Sequence, residues 1–238
     1  MKLVSDLKIK IFADGADKAQ ILRFKANPVI KGFTTNPTLM RSAGVKDYEI
    51  FAQEILEVVQ DLPISFEVFA DDVAEMERQA RKIAGWASNV YVKIPITNTH
   101  GESCMELASR LSHSGVKVNV TAVLTIPQVR HAVAALGEGA PSVISVFAGR
   151  IADTGRDPVP VMARAMELIA PHPGIELLWA SPRELLNIFQ ADDVGCHIIT
   201  ATDGVLSKLQ AVGKDLLAYS LETVQMFHND AARSGYKL

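Results

Sequence analysis

The stretch Val90-Tyr91-Val92-Lys93-Ile94-Pro95-Ile96-Thr97 sets a single lysine in an otherwise apolar and β-branched run. A run of this kind, without helical period, reads as a buried parallel strand, which normally has no place for an ammonium group. A lysine at a strand end can snorkel to water. The sharper reading is a nucleophile, because desolvation disfavours the charged amine and a neutral amine can attack a carbonyl to form a Schiff base. Its company bears on the choice. Glu67 sits inside Ser65-Phe66-Glu67-Val68-Phe69, where a carboxylate costs energy unless it is paired. Asp14, Asn36, Thr121, Ser145 and Ser181 fall at the ends of other strand-like runs, with Arg150 and Arg183 just beyond. Singly these have ordinary explanations: aspartate and asparagine form turns, threonine favours strands, and loop arginines are solvated. Together, a buried lysine, two carboxylates, hydroxyls and an amide are what Schiff-base chemistry on a polyhydroxylated carbonyl compound requires, and two arginines suit a phosphate. The six histidines show no paired spacing, and Cys104 and Cys196 form neither a metal-ligand pattern nor a disulfide framework. The chemistry calls for no metal and no cofactor.

These residues need a scaffold that gathers strand ends. Lys8 to Ala13 alternates like a strand and stops at Asp14-Gly15, after which Ala16 to Lys25 carries helix formers. Val29 to Thr35 is the next strand, ended by Asn36-Pro37. Ile50, Phe51, Ile55, Leu56 and Val59 then recur at helical spacing. Strands at Ile64–Phe69, Val90–Ile96, Val116–Val123, Ser142–Phe147, Ile175–Ala180 and Cys196–Thr200 alternate with helices over Asp71–Ala84, Thr99–Ser112, Thr125–Leu136, Val159–Ile169 and Arg183–Gln190. Ala148 to Pro158 reads as the longest polar loop. Gly204–Ala218 and Ser220–Arg233 are helical material at the end. Eight such units in 238 residues predict a single-domain (β/α)8 barrel spanning 1–238, with an extra C-terminal helix at about 220–233. An open doubly wound sheet fits less well, because the turn after the first strand, Asp14-Gly15-Ala16-Asp17, is not a glycine-rich phosphate loop. The barrel directs the C-terminal ends of its strands, and the polar residues on them, toward one site.

A net charge of −3 gives no electrostatic footprint for nucleic acid or an anionic membrane, so an anionic ligand needs a local basic cluster. No apolar run approaches the length of a membrane span, and the first residues lack the apolar core of a signal peptide. A reducing cytoplasm is the expected compartment. Asn119-Val120-Thr121 matches a glycosylation pattern but lies in a buried strand of a cytoplasmic chain, and is set aside.

Gly32-Phe33-Thr34-Thr35-Asn36-Pro37-Thr38, the strand around Lys93, and Val146-Phe147-Ala148-Gly149-Arg150-Ile151 resemble the transaldolase family, including its small bacterial members and the fructose-6-phosphate aldolases. The resemblance runs along nearly the whole chain. It implies a (β/α)8 barrel with the Schiff-base lysine on strand four, where Lys93 falls. It further implies that Lys93 attacks the ketose C2 carbonyl and that Asp14 takes the C4 hydroxyl proton. Glu67 and Thr121 would hold a proton-shuttling water. Thr35, Asn36, Ser145 and Ser181 would line the three-carbon unit beside Phe147, and Arg150 and Arg183 would take the phosphate. Glutamate at 67 and phenylalanine at 147 resemble the transaldolases, whereas the aldolases carry glutamine and tyrosine there. The implied reaction is transfer of a dihydroxyacetone unit from a ketose phosphate such as fructose 6-phosphate to an aldehyde. The nearest alternatives are release of free dihydroxyacetone, an unusual anionic ketose, or a sugar-phosphate-binding barrel without turnover. Pro182 and the additional Arg156 depart from the family pattern and leave the acceptor and the anion open. Small members of the family form rings of subunits, so the resemblance also implies a homo-oligomer, a pentamer or decamer, with 220–238 at an interface.

Overall fold

A computed structural model describes residues 2–237. Eight parallel strands close into a barrel in chain order: β1 (Lys10–Asp14), β2 (Ile30–Thr34), β3 (Ile64–Glu67), β4 (Val90–Pro95), β5 (Val118–Val123), β6 (Ser142–Val146), β7 (Ile175–Trp179) and β8 (Ile198–Ala201). β8 returns to β1, with Lys10 opposite Ile198 and Ala13 opposite Ala201. The chain is thus the expected (β/α)8 barrel, followed by one long helix. Alternation along each strand sorts the side chains. Ile11, Ala13, Phe33, Ile64, Phe66, Val92, Ile94, Val120 and Ile144 belong to the buried layer between barrel and helices. Phe12, Val143, Leu178, Ala180 and Ile198 fill the barrel itself. Gly32 makes room for that filling, since a Cβ there would stand 2.5 Å from the Phe12 ring.

The outer ring consists of α1 (Lys18–Lys25), α2 (Pro37–Ser42), α3 (Tyr48–Val58), α4 (Val73–Ala84), α5 (Met105–His113), α6 (Ile126–Leu136), α7 (Ala148–Ala152), α8 (Val159–Ile169), α9 (Leu186–Asp193) and α10 (Asp203–Leu206), and the long C-terminal helix is α11 (Leu216–Ser234). Their starts follow from capping chemistry. Asp17, Asp47, Asp72 and Thr125 accept hydrogen bonds from the backbone N–H groups of Gln20, Ile50, Glu75 and Gln128. Each such cap is worth about 1 kcal/mol. α4 shows the packing logic: Met76, Ala80 and Ile83, four and three residues apart, are its buried face. Among the described residues, no helix is long and apolar enough to cross a membrane.

Four segments differ from the sequence expectation. The helix expected from Thr99 begins at Met105, because Gly101 takes a φ of +81° and Thr99 is held outside the helix by Asp71, which accepts from its N–H (2.7 Å) and its hydroxyl (2.6 Å). The polar loop from Ala148 opens with the single turn α7, and Pro37 begins the short α2. At the C-terminus the break falls at Gly213, φ +85°. Asp215 then caps α11, which runs unbroken through Ser220 to Ser234.

Candidate active site

Lys93 lies in the third-from-last place of β4, only 7% exposed. β3 and β4 pair with Glu67 opposite Lys93, so the two side chains leave the sheet on the same face. Lys93 Nζ is 3.0 Å from Glu67 Oε2 and donates to the carbonyl oxygen of Thr35 at 3.0 Å. The ammonium is therefore buried, paired and hydrogen-bonded, the only terms on which the interior tolerates it.

Asp14 ends β1. Its Oδ1 accepts from Thr34 Oγ1 at 2.7 Å, and Thr34 Oγ1 is in turn 2.5 Å from Thr200 Oγ1 on β8. Burial pushes the Asp14 carboxyl above the usual aspartate range, against the opposing pull of the Lys93 charge and the Thr34 hydrogen bond, while the Glu67 charge adds to the rise. A carboxyl raised in this way is better matched to giving and taking a proton near neutral pH.

Thr121 sits at a register shift between β5 and β6, next to Ala122, whose φ of +61° is unusual for a residue with a Cβ. Its Oγ1 is buried and has no hydrogen-bond partner among the described residues. An orphaned hydroxyl there is suited to a water or a substrate oxygen. One layer toward the barrel floor, Asn119 pairs in register with Lys93 and bridges two serines: its Nδ2 donates to Ser65 Oγ (3.1 Å) and its Oδ1 accepts from Ser145 Oγ (2.7 Å). Asn36 caps α2, its Oδ1 accepting from the Leu39 N–H at 2.9 Å, which leaves the amide N–H₂ for a ligand. Thr35 spends its hydroxyl on the Ser65 carbonyl (2.9 Å) and meets the lysine through its backbone.

The segments that carry the two arginines meet at a glycine. A Cβ on Gly149 would overlap the Ser181 carbonyl oxygen and lie 3.3 Å from Arg183 Nε, so only glycine lets the loop after β7 lie on α7. Ser181 itself holds a φ of +59°. Arg150 Cζ lies 5.6 Å from the centre of the Phe147 ring and has no carboxylate partner among the described residues. Arg183 forks onto Asp153, with Nε to Oδ1 at 2.9 Å and a second contact from Nη2 to Oδ2. Arg156 points elsewhere, donating to Thr154 Oγ1 at 3.0 Å. The opposite, N-terminal mouth of the barrel has a cavity of about 280 Å³ lined by residues such as Lys10, Tyr91 and Glu176. Lys93, Asp14 and Glu67 do not line it.

The sequence profile of the transaldolase/fructose-6-phosphate aldolase family matches residues 11–237. The chain belongs to this family. Proteins named probable transaldolase from Dehalococcoides mccartyi and Methanococcus maripaludis are 35% and 36% identical to it, over 84% of this chain and 90% and 89% of theirs. A further one from Streptococcus agalactiae is 36% identical over 84% of this chain and 89% of its own length. Among solved structures, 2,3-dimethylmalate lyase is similar with a TM-score of 0.55 at 11% identity, covering 98% of this chain and 86% of that one. Orotidine 5'-monophosphate decarboxylase from Metallosphaera sedula gives 0.56 at 12%, covering 86% and 96%. Those two likenesses are of barrel fold alone. The family and the names of these relatives make the chain an enzyme of the transaldolase type.

Sequence reasoning passed over Thr34, Thr200, Ser65 and Asn119. The signal for Asn119 was the one used for Glu67, a polar residue inside a buried strand, two places before Thr121 on the same face. Thr34 and Thr200 give no such signal, because threonine is an ordinary strand residue until its partner is known.

Proposed function

We propose that the protein is a class I transaldolase, moving a dihydroxyacetone unit from a ketose phosphate such as fructose 6-phosphate to an aldehyde acceptor. The observation that carries the reading is the lysine, 7% exposed, with a carboxylate and a carbonyl each at 3.0 Å and a second, raised carboxyl on β1. Lys93 gives a proton to Glu67 and attacks the donor's C2 carbonyl. The carbinolamine oxygen leaves as water, with the proton returned by Glu67 through a water that Thr121 Oγ1 is free to hold. Asp14 takes the C4 hydroxyl proton; the C3–C4 bond breaks, its electrons pass to the iminium nitrogen, and an aldose departs. The enamine then adds to the acceptor aldehyde, Asp14 returns its proton to the new alkoxide, and water releases the product from Lys93. Asn36, Ser145 and Ser181 hold the hydroxyls of the three-carbon unit beside Phe147, and the carbonyl of Thr35 steadies the lysine. Arg150 is the first anchor of the phosphate and Arg183 the second.

Borohydride reduction with fructose 6-phosphate, followed by mass spectrometry, is expected to leave a reduced adduct on Lys93. No adduct would sink the Schiff-base reading. Adding erythrose 4-phosphate separates transfer from cleavage: dihydroxyacetone accumulating without the acceptor would favour the aldolase. A panel of aldehydes and of non-phosphate anionic ketoses identifies the natural pair.

We read the protein as a homo-oligomer, a pentamer or decamer, and the surface of α11 supports assembly as such. It has no buried residue, and Leu217, Leu221 and Val224 expose a stripe at helical spacing. The working compartment in this reading is the cytoplasm, with no nucleic-acid or membrane partner.

A further inference from the structure

The end of β3 is finished by a side chain instead of a strand. β2 and β3 pair through Phe33–Ile64 and Thr34–Ser65 only. The N–H of Phe33 donates to the Pro63 carbonyl at 2.9 Å, and that of Thr35 to the Ser65 carbonyl at 3.1 Å. The even spacing of a parallel ladder would next bring the N–H of residue 37 to the Glu67 carbonyl and the Glu67 N–H to the Thr35 carbonyl. Neither bond forms. Residue 37 is proline and has no N–H to give. The Thr35 carbonyl accepts from Lys93 Nζ instead.

Tyr48 fills both gaps. Its hydroxyl donates to the Glu67 carbonyl and accepts from the Glu67 N–H, each at 2.8 Å. Its position is rigid. Tyr48 is the first residue of α3, directly after the Asp47 cap, and its ring packs against Phe69, Trp86 and Phe66 with centroids 5.3, 5.9 and 6.3 Å away. A buried N–H is costly to leave unpaired, so without the phenol the Glu67 N–H would turn to the acceptor that a parallel ladder gives it, the Thr35 carbonyl.

We infer that Tyr48 is a positioning residue of the active site: by satisfying both backbone groups of Glu67, it reserves the Thr35 carbonyl for Lys93 and fixes the carboxylate that pairs with the lysine. In this role Tyr48 acts through the backbone of Glu67, the residue paired with the lysine. The catalytic consequence rests on the transaldolase reading, whereas the structural one does not.

Tyr48→Phe removes the hydroxyl and keeps the ring, so the aromatic packing that supports the fold is retained. Two measurements decide. A crystal structure of the variant without ligand is expected to show the Glu67 N–H turned to the Thr35 carbonyl and Lys93 Nζ displaced from it. Lys93 remaining on that carbonyl overturns the inference. With fructose 6-phosphate, single-turnover trapping by borohydride is expected to slow by about tenfold or more, while the donor KM stays within about threefold, because the loss falls on imine formation and not on sugar binding. An unchanged trapping rate, or a loss carried by KM alone, overturns it too. If the unmodified protein gives no adduct, the transaldolase reading falls, and the crystallographic arm still decides what Tyr48 does.

Discussion

Glu67 Oε2 and Lys93 Nζ stand 3.0 Å apart at paired positions of β3 and β4, with side-chain exposures of 20% and 8%. A pair this enclosed is costly to break from one side. Removing one partner of a buried ion pair costs about 3–5 kcal/mol, whereas removing both with well-packed neutral groups is often close to neutral. Glu67→Gln is therefore expected to lower the melting temperature by about 6–20 °C for a chain of this size. It should also slow imine trapping by about a hundredfold through loss of the proton carrier. Lys93→Met combined with Glu67→Gln should recover most of that stability and form no adduct. Calorimetry on the two single variants and the double one checks the cycle; strictly additive losses would mean that the two groups do not interact.

Asp14 makes a prediction about pH. Its folded carboxyl is raised, chiefly by burial, above its value in the unfolded chain. Between the ordinary aspartate range and the raised value the folded state binds more protons than the unfolded one, so stability falls as pH rises through that window and levels off above it. Asp14→Asn abolishes this dependence. Melting curves across the window should show the variant gaining on the parent as pH rises. The same variant should still be trapped on Lys93 yet cleave the C3–C4 bond about 10² to 10⁴ times more slowly. Loss of trapping and cleavage together would assign Asp14 to imine formation instead.

The two arginines are expected to be unequal. Arg183 is already engaged by Asp153, while Arg150 has only the face of Phe147 beside it among the described residues. A charge-assisted hydrogen bond is worth about 1.5–3 kcal/mol, or roughly 10- to 150-fold in affinity. Arg150→Ala should raise the KM for a phosphorylated donor into that range. Arg183→Ala should raise it less, because Asp153 must be displaced before its guanidinium can serve. Neither substitution should matter for unphosphorylated fructose. Equal effects on the two sugars would place the arginines outside the phosphate site.

The barrel and the buried lysine on β4 were legible in the sequence because each follows from a local rule: alternating periods, turn residues at strand ends, and one lysine in an apolar strand. What was not legible depends on pairing across the barrel. Thr34 reaches Asp14 on one side and Thr200 on the other, and the last two are separated by most of the chain. Tyr48 could not be read from a hydrophobic helix start, since its role is created by Pro37 and by the way β2 and β3 part company. Asn119 was visible only within a glycosylation pattern that its buried strand rules out, although the period of two already puts it on the face of Thr121.

Phe147 tests the choice between transfer and release. It closes β6 ahead of α7, and its ring packs on the barrel-filling group of Phe12, Val143, Leu178, Ala180 and Ile198 while Arg150 lies across it. In the transaldolase reading, this position therefore offers no side-chain hydroxyl to place a second water on the enamine. Phe147→Tyr adds one at little cost in volume and is expected to raise the rate of free dihydroxyacetone release from fructose 6-phosphate in the absence of an acceptor. Transfer to erythrose 4-phosphate should fall correspondingly, since both fates draw on the same enamine. A coupled assay for dihydroxyacetone measures the first and product chromatography the second. If neither partition changes, the choice of fate lies with other groups, of which the unpartnered Thr121 hydroxyl is the first to substitute.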